Sequence, residues 1–221
     1  MLFLTITLLG SAINAPGPPP PPPPAPPCTL EMLKARPAGD KNWPIKCSGA
    51  TLGEPWEDSG TGYGYKTDPS GEYKSLDLSE YSMSYGEFVG ATFFGWGAIN
   101  FAGSNLHHAN MSGAKLTADW HWNALGTPGV DDWYALIDFT GANLVDADLS
   151  DWELTIDSTY YGGYGIIDFT GANLANADLG GSKLTTRRHS LFFGKSTINF
   201  TGANLTNANT QMGQLSLNFV L

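Results

Sequence analysis

The chain has 221 residues, of which 42 % are hydrophobic and 14 % charged, and its formal net charge is −10 at pH 7. That length provides one domain with an extension, and the negative balance repels nucleic-acid phosphates, which argues against DNA or RNA as a partner. The two cysteines, Cys28 and Cys47, suit one disulfide in an oxidising compartment and supply no metal-ligand spacing.

Taken in chain order, residues 1–15 read as a signal peptide. Leu2 to Leu9 is apolar and Gly10-Ser11-Ala12 offers small residues for cleavage. The run is shorter than the ~20 residues a membrane span needs, so a mature, soluble protein that meets membranes only indirectly is expected. Residues 16–27 form a proline-rich linker with an unbroken run from Pro18 to Pro24. Its backbone favours an extended polyproline helix of ~3.1 Å per residue, a stiff spacer or a ligand for a proline-recognising module. Residues 28–77 are an N-terminal extension, in which Thr29 to Arg36 predicts a short helix stopped by Pro37. Either Cys28 and Cys47 are bridged, or Cys47 fills an inward coil position as a buried thiol.

From residue 78 to 221 the chain keeps a beat of five. It starts with Leu78, Met83, Phe88 and Phe93, and continues with Phe101, Leu106, Met111 and Leu116. The beat returns as Phe139, Leu144, Leu149 and Leu154, as Phe169, Leu174, Leu179 and Leu184, and as Phe200 and Leu205. The four sets from Phe101 on each open on a related phrase, such as Ile137-Asp-Phe-Thr-Gly-Ala-Asn-Leu144 and Ile167-Asp-Phe-Thr-Gly-Ala-Asn-Leu174, which recurs every 30 to 38 residues. A helix beats near 3.6 and a half-buried strand near two, so five is neither. A short side plus a turn takes five residues, and four such units return the chain above its start. The narrow interior accepts one large residue per side with a small one before it, as in Ala142, Ala147, Ala172, Ala177 and Ser182. Asn143, Asp146, Asp148 and Ser150 are expected to face solvent.

These units resemble the pentapeptide-repeat family, whose motif is A(D/N)LXX. The matches include Ala142-Asn143-Leu144-Val145-Asp146, Ala147-Asp148-Leu149-Ser150-Asp151, Ala172-Asn173-Leu174-Ala175-Asn176, Ala177-Asp178-Leu179-Gly180-Gly181 and Ala203-Asn204-Leu205-Thr206-Asn207. The resemblance implies an all-β fold, a right-handed quadrilateral β-helix, here of about four to five coils. The departure from the family is that the beat stops after each set of four. Excursions follow at Phe94 to Ala98, Thr117 to Leu136, Thr155 to Ile166 and Thr185 to Thr197. All are expected to leave from one corner and to stack into a second layer beside the solenoid. Tyr161-Gly162-Gly163-Tyr164 reads as a hairpin tip, since paired glycines supply positive φ. A reading in which thirty residues make one and a half coils puts Asp157 at an inward position and is disfavoured.

The excursions carry the candidate partner-binding residues Trp120, Trp122, Trp133, Tyr160, Tyr161 and Tyr164, because Trp and Tyr bury much area at low entropy cost. Tyr164 is the one whose place relative to the inward beat is arguable. From Asp119 to Asp178 there are eleven acidic residues and no Lys or Arg, whereas Lys183, Arg187, Arg188 and Lys195 follow without an acid. His107-His108, His121 and His189 show no spacing for a known metal site, and no carboxylate pair or nucleophile suggests catalysis. No enzyme activity, cofactor or metal is expected. The resemblance implies a structural or interaction protein that offers an aromatic, acidic flank to a protein partner. Family members occur in the thylakoid lumen, so a secreted or lumenal subunit or assembly factor of a membrane-associated photosynthetic complex is one specific form; periplasm and extracellular space are others. The alternatives are a DNA-mimicking inhibitor of a gyrase or topoisomerase, as in some family members, and a secreted carbohydrate-binding module.

Overall fold

A chain that turns a corner every five residues needs a backbone at positive φ at each corner. In one coil these are Gly141 at 65°, Asp146 at 55° and Asp151 at 54°, and in the coil before it Gly103 at 66°, His108 at 55° and Gly113 at 63°. Each is the third residue of a four-residue turn closed by a backbone bond, such as Ala142 N–H to Phe139 O at 3.0 Å and Ala109 N–H to Leu106 O at 2.9 Å. Type II turns demand positive φ at that place, which favours Gly and tolerates Asn or Asp. An Asn or Asp just before an inward Leu or Phe completes many of these corners. The side-chain oxygens of Asn100, Asp138, Asp148 and Asn204 accept the N–H two residues on at 2.8–3.1 Å. The expectation that Asn143, Asp146, Asp148 and Ser150 simply face water is therefore corrected. They are half-buried; Asn143 and Asp148 lie against the N–H groups they accept, and the Ser150 hydroxyl donates to Asp148 Oδ1 at 2.6 Å.

The computed structural model describes residues 28–36, 45–53, 75–120, 134–158, 164–188 and 196–219. The expected signal peptide and proline linker, and the excursion tips at 121–133, 159–163 and 189–195, lie outside them. The elements are α1 (Leu30–Ala35), β1 (Thr51–Leu52), β2 (Leu76–Asp77), β3 (Thr92–Trp96), β4 (Ala98–Asn100), β5 (Lys115–Trp120), β6 (Tyr134–Asp138), β7 (Glu153–Ser158), β8 (Tyr164–Asp168), β9 (Lys183–Arg188), β10 (Ser196–Asn199) and β11 (Gln214–Phe219). They form a β-helix of parallel stacked sides. One side is the five-stranded sheet β10-β8-β6-β4-β2, and the side that closes each coil is the six-stranded sheet β1-β3-β5-β7-β9-β11. The other two sides are ladders of single bridges, Ser82–Asn105–Asn143–Asn173–Asn204 and Lys46–Glu87–Asn110–Asp148–Asp178–Asn209. Leu116, Leu154, Leu184 and Leu215 share one row. Thirty residues are thus one coil plus an excursion.

The interior is a set of columns. Phe101, Phe139, Phe169 and Phe200 stack ring on ring at 4.8, 5.0 and 4.8 Å with planes within 7° of parallel, which is the spacing of parallel strands, ~4.8 Å. Leu106, Leu144, Leu149, Leu154, Leu174, Leu179 and Leu184 are fully buried, as are Met111 and Leu116, while Phe200 and Leu205 in the last coil are partly buried. The inward small positions are not all small. Trp152 stands where neighbouring coils place Ala114 and Ser182, and is 0 % exposed. Its ring lies 5.3 Å from that of Phe139. The small side chains on either side leave the volume that the indole fills.

The other end of the solenoid is closed by α1. Thr29 caps it by accepting the Met32 N–H at 3.2 Å, and the backbone is extended again at Arg36, just before Pro37. Leu33 is buried and the Arg36 guanidinium donates to Ser82 O at 3.1 Å. Cys28 is bridged to Cys47 with Cα atoms 5.3 Å apart. Cys47 also occupies an inward coil position, its N–H donating to Glu87 O at 2.7 Å and its side chain 1 % exposed. The two readings of this residue are therefore one arrangement, a coil position used as an anchor.

Two measurements test this architecture. Trp152→Ala restores the small residue of the repeat yet should cost about 3–5 kcal/mol, since it removes a fully buried indole; an unchanged urea midpoint would place Trp152 outside the core. Reduction of the bridge, which spans 19 residues, should lower unfolding free energy by about 3 kcal/mol through the regained chain entropy, read as a shift of the melting midpoint in reductant.

Candidate functional site

The excursions are built from strands that overrun the square. After Leu116 the chain continues outward to Trp120, and after Leu154 and Leu184 it continues to Ser158 and Arg188, still paired in register. The return strands pair equally, Tyr134 with Tyr164 and Leu136 with Ile166. The two sheets thus extend past one corner as a two-layered wing. Ala118, Ile156 and Thr186 point inward from one layer, and Ala135 and Gly165 from the other, all buried. Small residues here let the layers close on each other. The Gly165 position shows the constraint directly, since a Cβ there lies 3.1 Å from the Ile156 side chain. The first excursion is the shortest: the chain reverses at Gly97, φ 75°, with Gly95 beside it, where a Cβ would collide with Ala98 O.

This corrects the hairpin expectation for Tyr161 to Tyr164. The strands flanking that segment, β7 and β8, belong to different sheets and pair with their counterparts in adjacent coils. The tip residues Gly162 and Gly163 themselves lie outside the described residues. Trp120 ends β5 and Tyr164 begins β8, at the roots of two excursions. Trp122, Trp133, Tyr160 and Tyr161 lie outside the described residues.

The strand register of the wing and its neighbouring sides sets residues in rows. Next to the square runs Lys115–Glu153–Lys183, then Thr117–Thr155–Thr185, then Asp119–Asp157–Arg187. On the return layer Leu136 and Ile166 form a half-buried apolar row beside Asp138 and Asp168. A second acidic pair, Asp148 over Asp178, marks another side. The acid run of the sequence is therefore folded into separate rows. Across the square from the wing, the turn of His107 and His108 meets Asp146 of the next coil. Sequence reading missed this cluster because its third member is 38 residues away, a separation fixed by the excursion and not by the repeat.

In the first row, Glu153 accepts from Lys183 Nζ at 3.1 Å and pairs with Lys115 Nζ at 3.3 Å. The hydrogen bonds from Lys183 and from Lys115 hold its carboxyl below the usual carboxylate range near 4.5, with partial burial opposing them. A depressed folded value means that the stabilisation is complete above the ordinary range and is lost as pH falls through the folded value. Because Glu153 is 36 % exposed, the effect should stay below about 1 kcal/mol. Glu153→Gln should accordingly lower stability at neutral pH by that small amount and leave it unchanged at the acid end, measured by urea unfolding across pH. A difference that persisted in strong acid would contradict the ion-pair account.

Comparison with curated proteins finds no match for the chain. Comparison with protein families finds pentapeptide repeats, eight copies in all, over residues 98–118 and 167–185. Those segments cover the side, corner and closing strand of two of the coils described above. The matched segments carry pentapeptide repeats, and the stacked coils that contain them are the β-helix such repeats build.

Proposed function

We propose that this protein is a non-enzymatic scaffold whose wing presents excursion tips to a protein partner. The observation that carries the reading is the register of the roots: Trp120, Ser158 and Arg188 stand in one row, and Tyr134 and Tyr164 in another. A rigid ladder under each tip lowers the ordering cost of binding, because both ends of every excursion are held before a partner arrives. The acidic rows beside the wing favour a basic face on that partner. Residues 1–15 and the bridge between Cys28 and Cys47 support an oxidising, secreted or lumenal setting, and a subunit or assembly factor of a membrane-associated complex is the specific form proposed. DNA mimicry fits less well, since the wing breaks one corner of the rod and the acidic residues stand in separate rows.

Single alanine substitutions at Trp120, Trp122, Trp133, Tyr160, Tyr161 and Tyr164 test the proposal. Binding in pull-downs from the native compartment should be lost while the melting curve stays put, because an exposed anchor contributes far less than a buried aromatic, whose loss costs about 3–5 kcal/mol. Large destabilisation at most of the six positions would make the aromatics a structural layer. Recovery of a topoisomerase would replace the proposal with mimicry.

A further inference from the structure

We infer that the corner across the square from the wing is a binding site for a divalent transition cation of the zinc type, held by His107, His108 and Asp146. The inference is independent of what the wing binds.

Adjacent histidines on a strand point to opposite faces. Here they occupy the two central positions of a turn, with His108 at φ 55°, and the rings lie side by side with centroids 4.0 Å apart. The next coil places Asp146 at the equivalent corner, also at φ 55°. The coils are pinned together at that point by the His108 N–H, which donates to Val145 O at 3.0 Å. As a result His108 Nε2 is 3.7 Å and His107 Nδ1 4.0 Å from Asp146 Oδ2, and one ligand atom from each residue lies within 4.8 Å of the others.

The carboxylate is oriented from outside the cluster. Asn176, one coil further on, donates its side-chain N–H to Asp146 Oδ1 at 2.9 Å, and Asn207 donates to Asn176 at 3.2 Å. Oδ1 is thereby engaged and Oδ2 faces the imidazoles, the arrangement by which outer partners set up a metal ligand. Tyr85, from the coil before, walls the other side, with its ring 5.0 Å from that of His108.

Two ligands at ~2.0–2.1 Å from a tetrahedral ion are roughly 3.4 Å apart. The present separations of 3.7 and 4.0 Å need only small side-chain rotations, and the three side chains, 32–41 % exposed, have room to make them. His107 exchanges one contact in doing so, since its Nδ1 lies 3.0 Å from Val145 O. Two imidazoles with one carboxylate select zinc-like cations over Ca²⁺ or Mg²⁺, which prefer all-oxygen shells. Three protein ligands leave a coordination position for water or for a group from a partner.

Calorimetric titration of the disulfide-bonded full chain with Zn²⁺ tests the assignment. Uptake of one equivalent at this corner is expected, with Mg²⁺ giving none. His108→Asn and Asp146→Asn should each weaken it at least about tenfold, the lower end of losses seen even for outer-shell partners. Both substitutions suit a positive φ, and Asn176 already fills the corresponding corner, so the coil is retained; a melting curve checks this. Asp178→Asn, on a different side, should leave Zn²⁺ binding unchanged. In thermal melts Zn²⁺ should raise the midpoint of the parent chain and of Asp178→Asn but not of the two corner variants. Absence of uptake at Zn²⁺ in large excess over protein would overturn the inference. So would equal uptake in the parent and both corner variants, which would assign the ion to His121 or His189.

Discussion

Hydrogen bonds between coils hold this molecule together, and every other feature is arranged so that they can form. Within a coil the backbone closes only its corner turns. Many of the remaining amides reach a neighbouring level, as Leu106 N–H does to Asn143 O at 2.8 Å, Leu144 N–H to Asn173 O at 2.7 Å and Leu174 N–H to Asn204 O at 2.8 Å. A side that slipped by one residue would strand these groups and send its Leu to solvent. The five-residue beat is the sequence expression of that requirement. Positive-φ corners, Asx acceptors and the alternation of large and small inward residues all keep neighbouring levels superimposed.

The same constraint explains which departures are tolerated. Among the described residues, the chain leaves the square where β3, β5, β7 and β9 go on pairing outward and β4, β6, β8 and β10 pair on the way back. The wing is therefore not an insertion hung from a finished solenoid. It is two of its sides continued, with Ala118, Ala135 and Gly165 keeping the layers close. Charge follows the stacking too. Like acids separated by one coil in sequence become neighbours, and Asp148 above Asp178 is tolerated because an oxygen of each serves its own turn at 3.1 and 2.8 Å.

Most of the coil was legible in the sequence because period five is visible along the chain. Phe139, Leu144, Leu149 and Leu154 announce four inner sides before any contact is known. What was not legible depends on partners that sequence spacing hides. Trp152 breaks the small-residue rule, and only the identity of Ala114 and Ser182 above and below makes room for it. His107 and His108 gain Asp146 across an excursion whose length no repeat dictates. The glycines at 162 and 163 suggest a hairpin, yet pairing with adjacent coils wins over pairing with the strand next in sequence, since those partners are already in place. The aromatic tips were chosen from composition, and the structure fixes the register of their roots.

The two described ends of the solenoid differ in finish. At one, α1 lies over the first coil and the bridge from Cys28 to Cys47 ties it down. At the other, Phe200, Ala203, Leu205, Ala208 and Met212 are only partly covered. In a stack whose levels depend on nearest neighbours, such asymmetry gives the molecule a mechanical direction. Load applied beyond Leu205 peels levels off one at a time, each release exposing the next. Load applied at the α1 end passes through the covalent bridge straight to Cys47 in the first coil, leaving the residues between Cys28 and Cys47 out of its path.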